Sequence, residues 1–248
     1  MWRRLQKPKK THNSYAYILL DVFDFLHRVY PKPIGVAHER IAGLHKKFGG
    51  ELYGLYDNPR SAIQERKALD PNYKSNRDPV PDFLSYVESF IYPHQVVRAQ
   101  GFEADDLVQP LLDYLKPDHI RRAILVSSDM DWARSMTWDT DWFTHRARYD
   151  LQGFRNRYAF FPDKKAICIY KALLGDRSDN IPVGIPGLKP ETVIMLINSG
   201  KDFQQCLRML AETEANRPYI SRCELNYRLV DLIDSADIPL TFGRVLSP

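Results

Sequence analysis

Three short apolar runs, each ending on an aspartate, limit how this 248-residue chain can fold. "YAYILLDVF" (residues 15–23) reaches Asp21, and "GELYGLYD" (50–57) ends on Asp57. "RRAILVSSDMD" (121–131) runs from the apolar Ala123–Val126 stretch to Asp129 and Asp131. Runs of this length read as buried strands. Between the second and third, residues 102–115 read as a helix with Leu107, Leu111 and Leu115 four apart. Pro110 should kink that helix or mark its first turn. Strands alternating with helices imply a parallel sheet, and parallel sheets bind ligands at the carboxyl ends of their strands. One strand-terminal aspartate is commonly a turn residue or a cap. Three of them beside an acid-rich helix start imply a shared carboxylate pocket.

That helix start is "GFEADDLVQPLLDYL" (101–115), with Glu103, Asp105 and Asp106 in four residues and no Lys or Arg alongside. Asp176 and Asp179, three apart in "ALLGDRSDNIPVGIPGLKPETV", bring the acids to nine with Asp21, Asp57, Asp129 and Asp131. A favourable helix dipole contributes only roughly 0.3–1 kcal/mol per acid, less than the repulsion of like charges in a partly dry cleft. Either several of these groups stay protonated or divalent cations bind among them. An oxygen-only ligand set suits Mg²⁺ or Mn²⁺. Two such ions about 3.5–4 Å apart form the clamp used on phosphodiesters.

From about residue 163 the pattern turns helical. "DKKAICIYKALLGD" stops at a glycine, "KPETVIMLINSG" starts another helix, and a further one crosses "ISRCELNYRLVDLI". In the Pro/Gly loop between the first two, Gly184 and Gly187 let backbone approach a ligand, and the next helix starts near Lys189. This arrangement suits a nucleic-acid backbone without base reading. Lys74 and Arg77 in "LDPNYKSNRDP" suit either a phosphate contact or an exposed charged turn. The net charge of +4 only slightly favours nucleic acid. Cys168, Cys206 and Cys223 form no CxxC pair, which argues against a disulfide framework or zinc site and fits a reducing cytosol. The apolar stretch near the N-terminus is broken by Asp21 and Asp24, so no membrane span is expected. Residues 1–15 read as a basic flexible arm.

Taken together and in order, these motifs resemble the 5′-nuclease family: flap endonucleases, the 5′-nuclease domains of bacterial DNA polymerase I and stand-alone bacteriophage exonucleases. "LLDVFDFLHR" matches the strand ending in a first metal aspartate, with Arg28 downstream; "YKSNR" matches Tyr-Lys-x-x-Arg. "FEADD", "SSDMDW" and "GDRSDNIP" match the three acidic blocks, and "NYRLVDL" a later segment. Two departures stand out. "DVFDF" lacks the Gly-Asn that commonly follows the first Asp, and "VGIPGLKPET" is displaced by a residue from the usual Gly-Ile-Gly-x-Lys.

The resemblance implies an α/β fold: a mostly parallel sheet flanked by helices (PIN-like core) over residues 16–160. A short arch would lie near 74–102, and a helix–three-turn–helix DNA-binding module would fill 161–248. It implies that all nine acids ligate two Mg²⁺ (Mn²⁺ substituting), with K⁺ at the 184–189 loop. Lys74 and Arg77 would act on the scissile phosphate, and Arg28, Arg66, Gly184, Gly187 and Lys189 would touch DNA. The implied activity is 5′–3′ exonuclease or flap cleavage of branched or 5′-ended DNA, with RNA primers as further substrates. The setting would be replication or repair, as a cytoplasmic monomer, phage-encoded or bacterial, beside a separate polymerase and away from membranes. A PIN-type ribonuclease and a catalytically inactive structure-specific DNA-binding protein are the alternatives.

Overall fold

The computed structural model describes residues 15–57, 59–76, 81–91, 95–115, 121–231 and 237–243. The expected basic arm therefore lies almost wholly outside the described residues, and so does Arg77. In chain order the first half contains β1 (Tyr17–Asp21), α1 (Val22–His27), α2 (Ile34–Phe48), β2 (Glu51–Leu55), α3 (Pro59–Leu69), α4 (Phe83–Ile91), β3 (Gln95–Arg98), α5 (Ala104–Leu115) and β4 (Ala123–Val126). A 3₁₀ turn over Met130–Ser135 leads to β5 (Thr140–Phe143), β6 (Arg148–Tyr149), α6 (Leu151–Tyr158) and α7 (Lys164–Leu174). Then follow α8 (Pro190–Asn198), α9 (Phe203–Ala211), α10 (Ile220–Val230) and β7 (Thr241–Gly243).

The strands form one sheet in the order β6-β5-β4-β1-β2-β3-β7. The five inner strands are parallel, and only β6 and β7 at the edges are antiparallel. All five residues of the central β1 are buried, as a parallel strand covered on both faces requires. Its side chains alternate. Tyr17 and Leu19 join Leu107 and Leu111 of α5 in one apolar cluster. Ile18 and Leu20 join Leu26, Ile41 and Phe90 on the opposite face. The three expected strands are β1, β2 and β4.

Pro110 neither starts nor ends α5, which runs on through it. The burial of Leu107, Val108, Leu111 and Leu112 holds the helix across the missing N–H. The expected arch, near 74–102, lies partly outside the described residues. Within 74–102, α4 packs on the sheet, burying Phe83, Val87 and Phe90, and β3 is a strand of it. Short α4 and β3 lacked a signal strong enough to separate them from a loop.

The helical part has its own core, where Cys168, Ile169 and Leu173 of α7 meet Val193, Leu196, Leu207, Cys223 and Leu229. Helix α7 also gives Ala166 and Ile167 to the sheet-side cluster, so it fastens the two cores together. Asp163 caps its N-terminus, accepting from the Ala166 N–H at 2.7 Å, and Gly175 ends it at φ 80°. Near the end of the span expected to hold the helical module, 161–248, β7 returns to the sheet beside β3. Among the described residues no helix is long and apolar enough to cross a membrane.

Gly184 is explained by packing. A Cβ there would stand 2.6 Å from the Ala172 carbonyl oxygen and 2.8 Å from Cys223 Sγ. Its expected role in bringing backbone to a ligand is replaced by close approach between the loop and helices α7 and α10. Gly184→Ala should therefore cost about 1–3 kcal/mol. Chemical denaturation would read this as a lower midpoint at unchanged slope, and an unchanged midpoint would contradict the packing argument.

Candidate active site

Residues at or just beyond the carboxyl ends of β1, β2 and β4, with the start of α5, line one cleft of about 680 Å³. Its walls include Asp21, Asp24, Asp57, Lys74, Asp105, Asp129, Lys171 and Asp176. Asp21 is both the last residue of β1 and the N-cap of α1, accepting from the Asp24 N–H at 3.0 Å and the Ser127 hydroxyl at 2.8 Å. Asp57 follows β2 and accepts the Ala104 N–H at 2.8 Å, so it holds the start of α5. Asp129 caps the 3₁₀ turn after β4 through the Asp131 N–H at 3.0 Å. Each carboxylate is thus fixed by backbone that the strand-to-helix crossing leaves unpaired.

Two groups of three carboxylate oxygens lie within 4.8 Å of one another: Asp105, Asp129 and Asp131, and then Asp131, Asp176 and Asp179. Asp131 belongs to both. The third acidic block arrives by docking of two loops. Asn180 Nδ2 donates to the Asn72 carbonyl at 2.8 Å, Asn76 Nδ2 to the Arg177 carbonyl at 2.8 Å, and the Lys74 N–H to the Asp179 carbonyl at 2.8 Å. Lys74 itself is left-handed at φ 54°. A lysine held there by flanking hydrogen bonds is the kind of strained backbone that collects at functional sites.

Glu103 and Asp106 have other partners. Glu103 is buried and receives both Arg66 and Lys74. Asp106 is fully buried, lies 3.5 Å from Arg66 Nη2 and accepts the Glu103 N–H at 3.1 Å. Neither joins the two oxygen groups. Arg66 is 7% exposed and stacks over Tyr73, so the expected DNA contact is corrected to a buried counter-ion. Arg28 is half-buried and pairs with Asp24 at 2.7 Å, and also with Ser128. Gly187 and Lys189 are exposed, Lys189 as the N-cap of α8.

Lys171 escaped the sequence reading. Its buried Nζ lies 2.6 Å from Asp131, 2.8 Å from Asp176 and 3.2 Å from Asp129. One signal was available: Lys171 stands four residues after Ile167 and three after Cys168, on the apolar stripe of its helix. Asp24 was missed as well, because its relation to Asp21 depends on the first turn of α1.

Charge crowding shows in the titration of these groups. Burial, then the Asp24 and Asp57 charges, pushes Asp21 up to about 8. Burial, followed by the Asp129 and Asp21 charges, holds Asp105 well above the usual carboxylate range. Asp131 rises to about 6, because burial outweighs the pull of Lys171. Burial also raises Asp179, against Lys74. Asp176 shows the reverse: burial would raise it, but Lys171 and Ser178 bring it down to about 2.

A carboxyl that titrates at 3.8 in isolation and near 8 in the fold keeps a proton that the unfolded chain has lost. Its contribution is complete below the unfolded value and disappears as pH rises through the folded one. In EDTA this contribution to the melting temperature should therefore be lost progressively between about pH 4 and pH 8. Asp21→Asn should flatten that slope in melts across the same range. An equal slope in both proteins would remove Asp21 as its cause.

Among protein-family models, none matches the chain. It is 25% identical over 244 residues to flap endonuclease Xni of Shewanella piezotolerans, covering 90% of this chain and 93% of that protein. Over 170 residues it is 25% identical to DNA polymerase I of Caldicellulosiruptor bescii, 62% of this chain but only 19% of the polymerase. The fold is that of bacteriophage T5 flap endonuclease, solved with DNA and metal ions: TM-score 0.67, 18% identity and 88% of each chain. It also matches the catalytic core of Rad2 solved with DNA substrate: TM-score 0.53, 14% identity, 91% of this chain and 81% of that one.

Proposed function

Starting from a chain whose relatives and fold are those of the 5′-nuclease family, we propose that it is a divalent-metal-dependent nuclease. It hydrolyses DNA phosphodiesters at 5′ ends or 5′ flap junctions. The observation that carries this reading is the pair of carboxylate oxygen groups sharing Asp131, set in a cleft with Lys74 on its wall.

The donor chemistry fits hard cations. Both groups offer only carboxylate oxygen, within the mutual spacing that one ion can bridge. In this reading Asp105, Asp129 and Asp131 hold one ion and Asp131, Asp176 and Asp179 the other, Mg²⁺ being the natural occupant and Mn²⁺ a substitute. Asp21 and Asp57 line the same cleft. Such ions lower the pKa of water and spread the charge on an attacked phosphate.

The remaining work belongs to side chains. Lys74 presents an ammonium at the cleft wall, placed by Glu103 and by Asp179 at 3.9 Å, where negative charge grows on a phosphate. Arg66, Glu103 and Asp106 form the buried support behind it. Arg77 shares its motif and would join it on the phosphate. Gly187, Lys189 and the N-terminus of α8 form an outward basic edge suited to the DNA backbone, in a helix–three-turn–helix that includes α7. Potassium there rests on the family resemblance alone. Arg28, paired with the cleft-lining Asp24 and Ser128, is a further DNA contact, and the chain works as a monomer on DNA that a polymerase leaves behind.

The deciding experiment is cleavage of a 5′-labelled flapped duplex in Mg²⁺ and in EDTA, with single-stranded RNA as a parallel substrate. Mg²⁺-dependent release of the intact flap supports a structure-specific nuclease, and short products support an exonuclease. Preferred cutting of the RNA would turn the assignment to a ribonuclease. Binding of the flap without cleavage would leave only a DNA-binding protein.

A further inference from the structure

We propose that Lys171 is the resident cation of the second carboxylate group, and that its ammonium must leave before a divalent ion can sit among Asp131, Asp176 and Asp179. This inference rests on the metal reading above. Lys171 is 6% exposed, and its two shortest contacts, 2.6 Å and 2.8 Å, go to Asp131 and Asp176, both members of that group. Its third, 3.2 Å, goes to Asp129. An ammonium on these oxygens and a divalent ion on the same oxygens exclude each other, since both need the same lone pairs at contact distance and repel.

The two carboxylate groups are therefore unequal. Lys171 touches two members of each group, but its contact in the first beyond the shared Asp131 is the long one, 3.2 Å to Asp129, against 2.8 Å to Asp176 in the second, so a first ion meets less competition than a second. Helix α7 is fixed in both apolar cores, so the movement belongs to the side chain and not to its backbone. Lys171 already borders the cleft beside Lys74 and Asp21, which offers the displaced ammonium space on the side where a phosphodiester would lie. A phosphate oxygen there would hold the ammonium away from the carboxylates. Substrate and second ion then assist each other's binding, and the assistance is reciprocal.

The test is Mn²⁺ binding to the DNA-free chain, counted by spin resonance of free Mn²⁺, for wild type, Lys171→Met and Asp131→Asn. The wild type should take up one ion well and a second weakly. Lys171→Met should bind the second at least about tenfold more tightly. Added Mn²⁺ should also raise its melting temperature more than that of the wild type. If the methionine variant does not fold, Lys171→Gln keeps one amide donor without charge and should show the same gain. Unchanged or weaker second-ion binding in a folded variant, while Asp131→Asn loses Mn²⁺, overturns the role of Lys171 alone. No Mn²⁺ uptake by the wild type overturns the metal reading and this inference with it.

Discussion

Asp131→Asn should reduce flap or 5′-end cleavage by on the order of a thousandfold or more while leaving the fold intact. The size follows from position: Asp131 is the one residue that belongs to both oxygen groups, so one substitution weakens both. Asparagine keeps the volume and removes the charge, and a buried carboxyl already raised to about 6 loses little by becoming neutral. Lys171 keeps Asp129 and Asp176 as partners. Single-turnover cleavage in Mg²⁺, with circular dichroism and a melt as fold controls, reads the effect. Rates within about tenfold of wild type would remove Asp131 from the chemistry.

Lys74→Met should cost about 10²–10³ in cleavage rate, the usual loss when one charge-stabilising donor is removed from a preorganised site. The backbone there is already committed: φ of 54° is held by the N–H on the Asp179 carbonyl, which the substitution preserves. Glu103 retains Arg66, so its carboxylate keeps a buried partner. DNA affinity measured in EDTA should change much less than the rate, because one cation in a long phosphate track contributes modestly. An equal loss in affinity and rate would make Lys74 a general DNA contact and nothing more. Loss of cleavage accompanied by a lower melting temperature would point instead to support of Glu103.

How much of this was legible beforehand differs from element to element. Strands β1, β2 and β4 and helices α5, α7, α8 and α10 could be read because each carries enough apolar residues at one period. The short β3, β5, β6 and β7 could not, since none has more than two apolar residues in a row, whereas β4, no longer than β3, is apolar throughout. Gly184 looked like a ligand-facing glycine, and only the carbonyl of Ala172 2.6 Å from its missing Cβ shows otherwise.

The amino-acid order by itself determined the parallel core and the acid pocket, because buried strands ending in aspartate place those carboxylates on one edge whatever the loops do. It also marked Lys74 through its motif. Which acids share an ion-sized space was decided only by the tertiary structure. Asp176 and Asp179 reach Asp131 through docking of the 70–76 loop on the 176–181 loop, about a hundred residues apart. The same packing withdraws Glu103 and Asp106 toward Arg66 and brings Lys171 in among the aspartates. Charge in a list of residues has no distance attached to it, and Coulomb energy in a cleft depends on distance and burial above all.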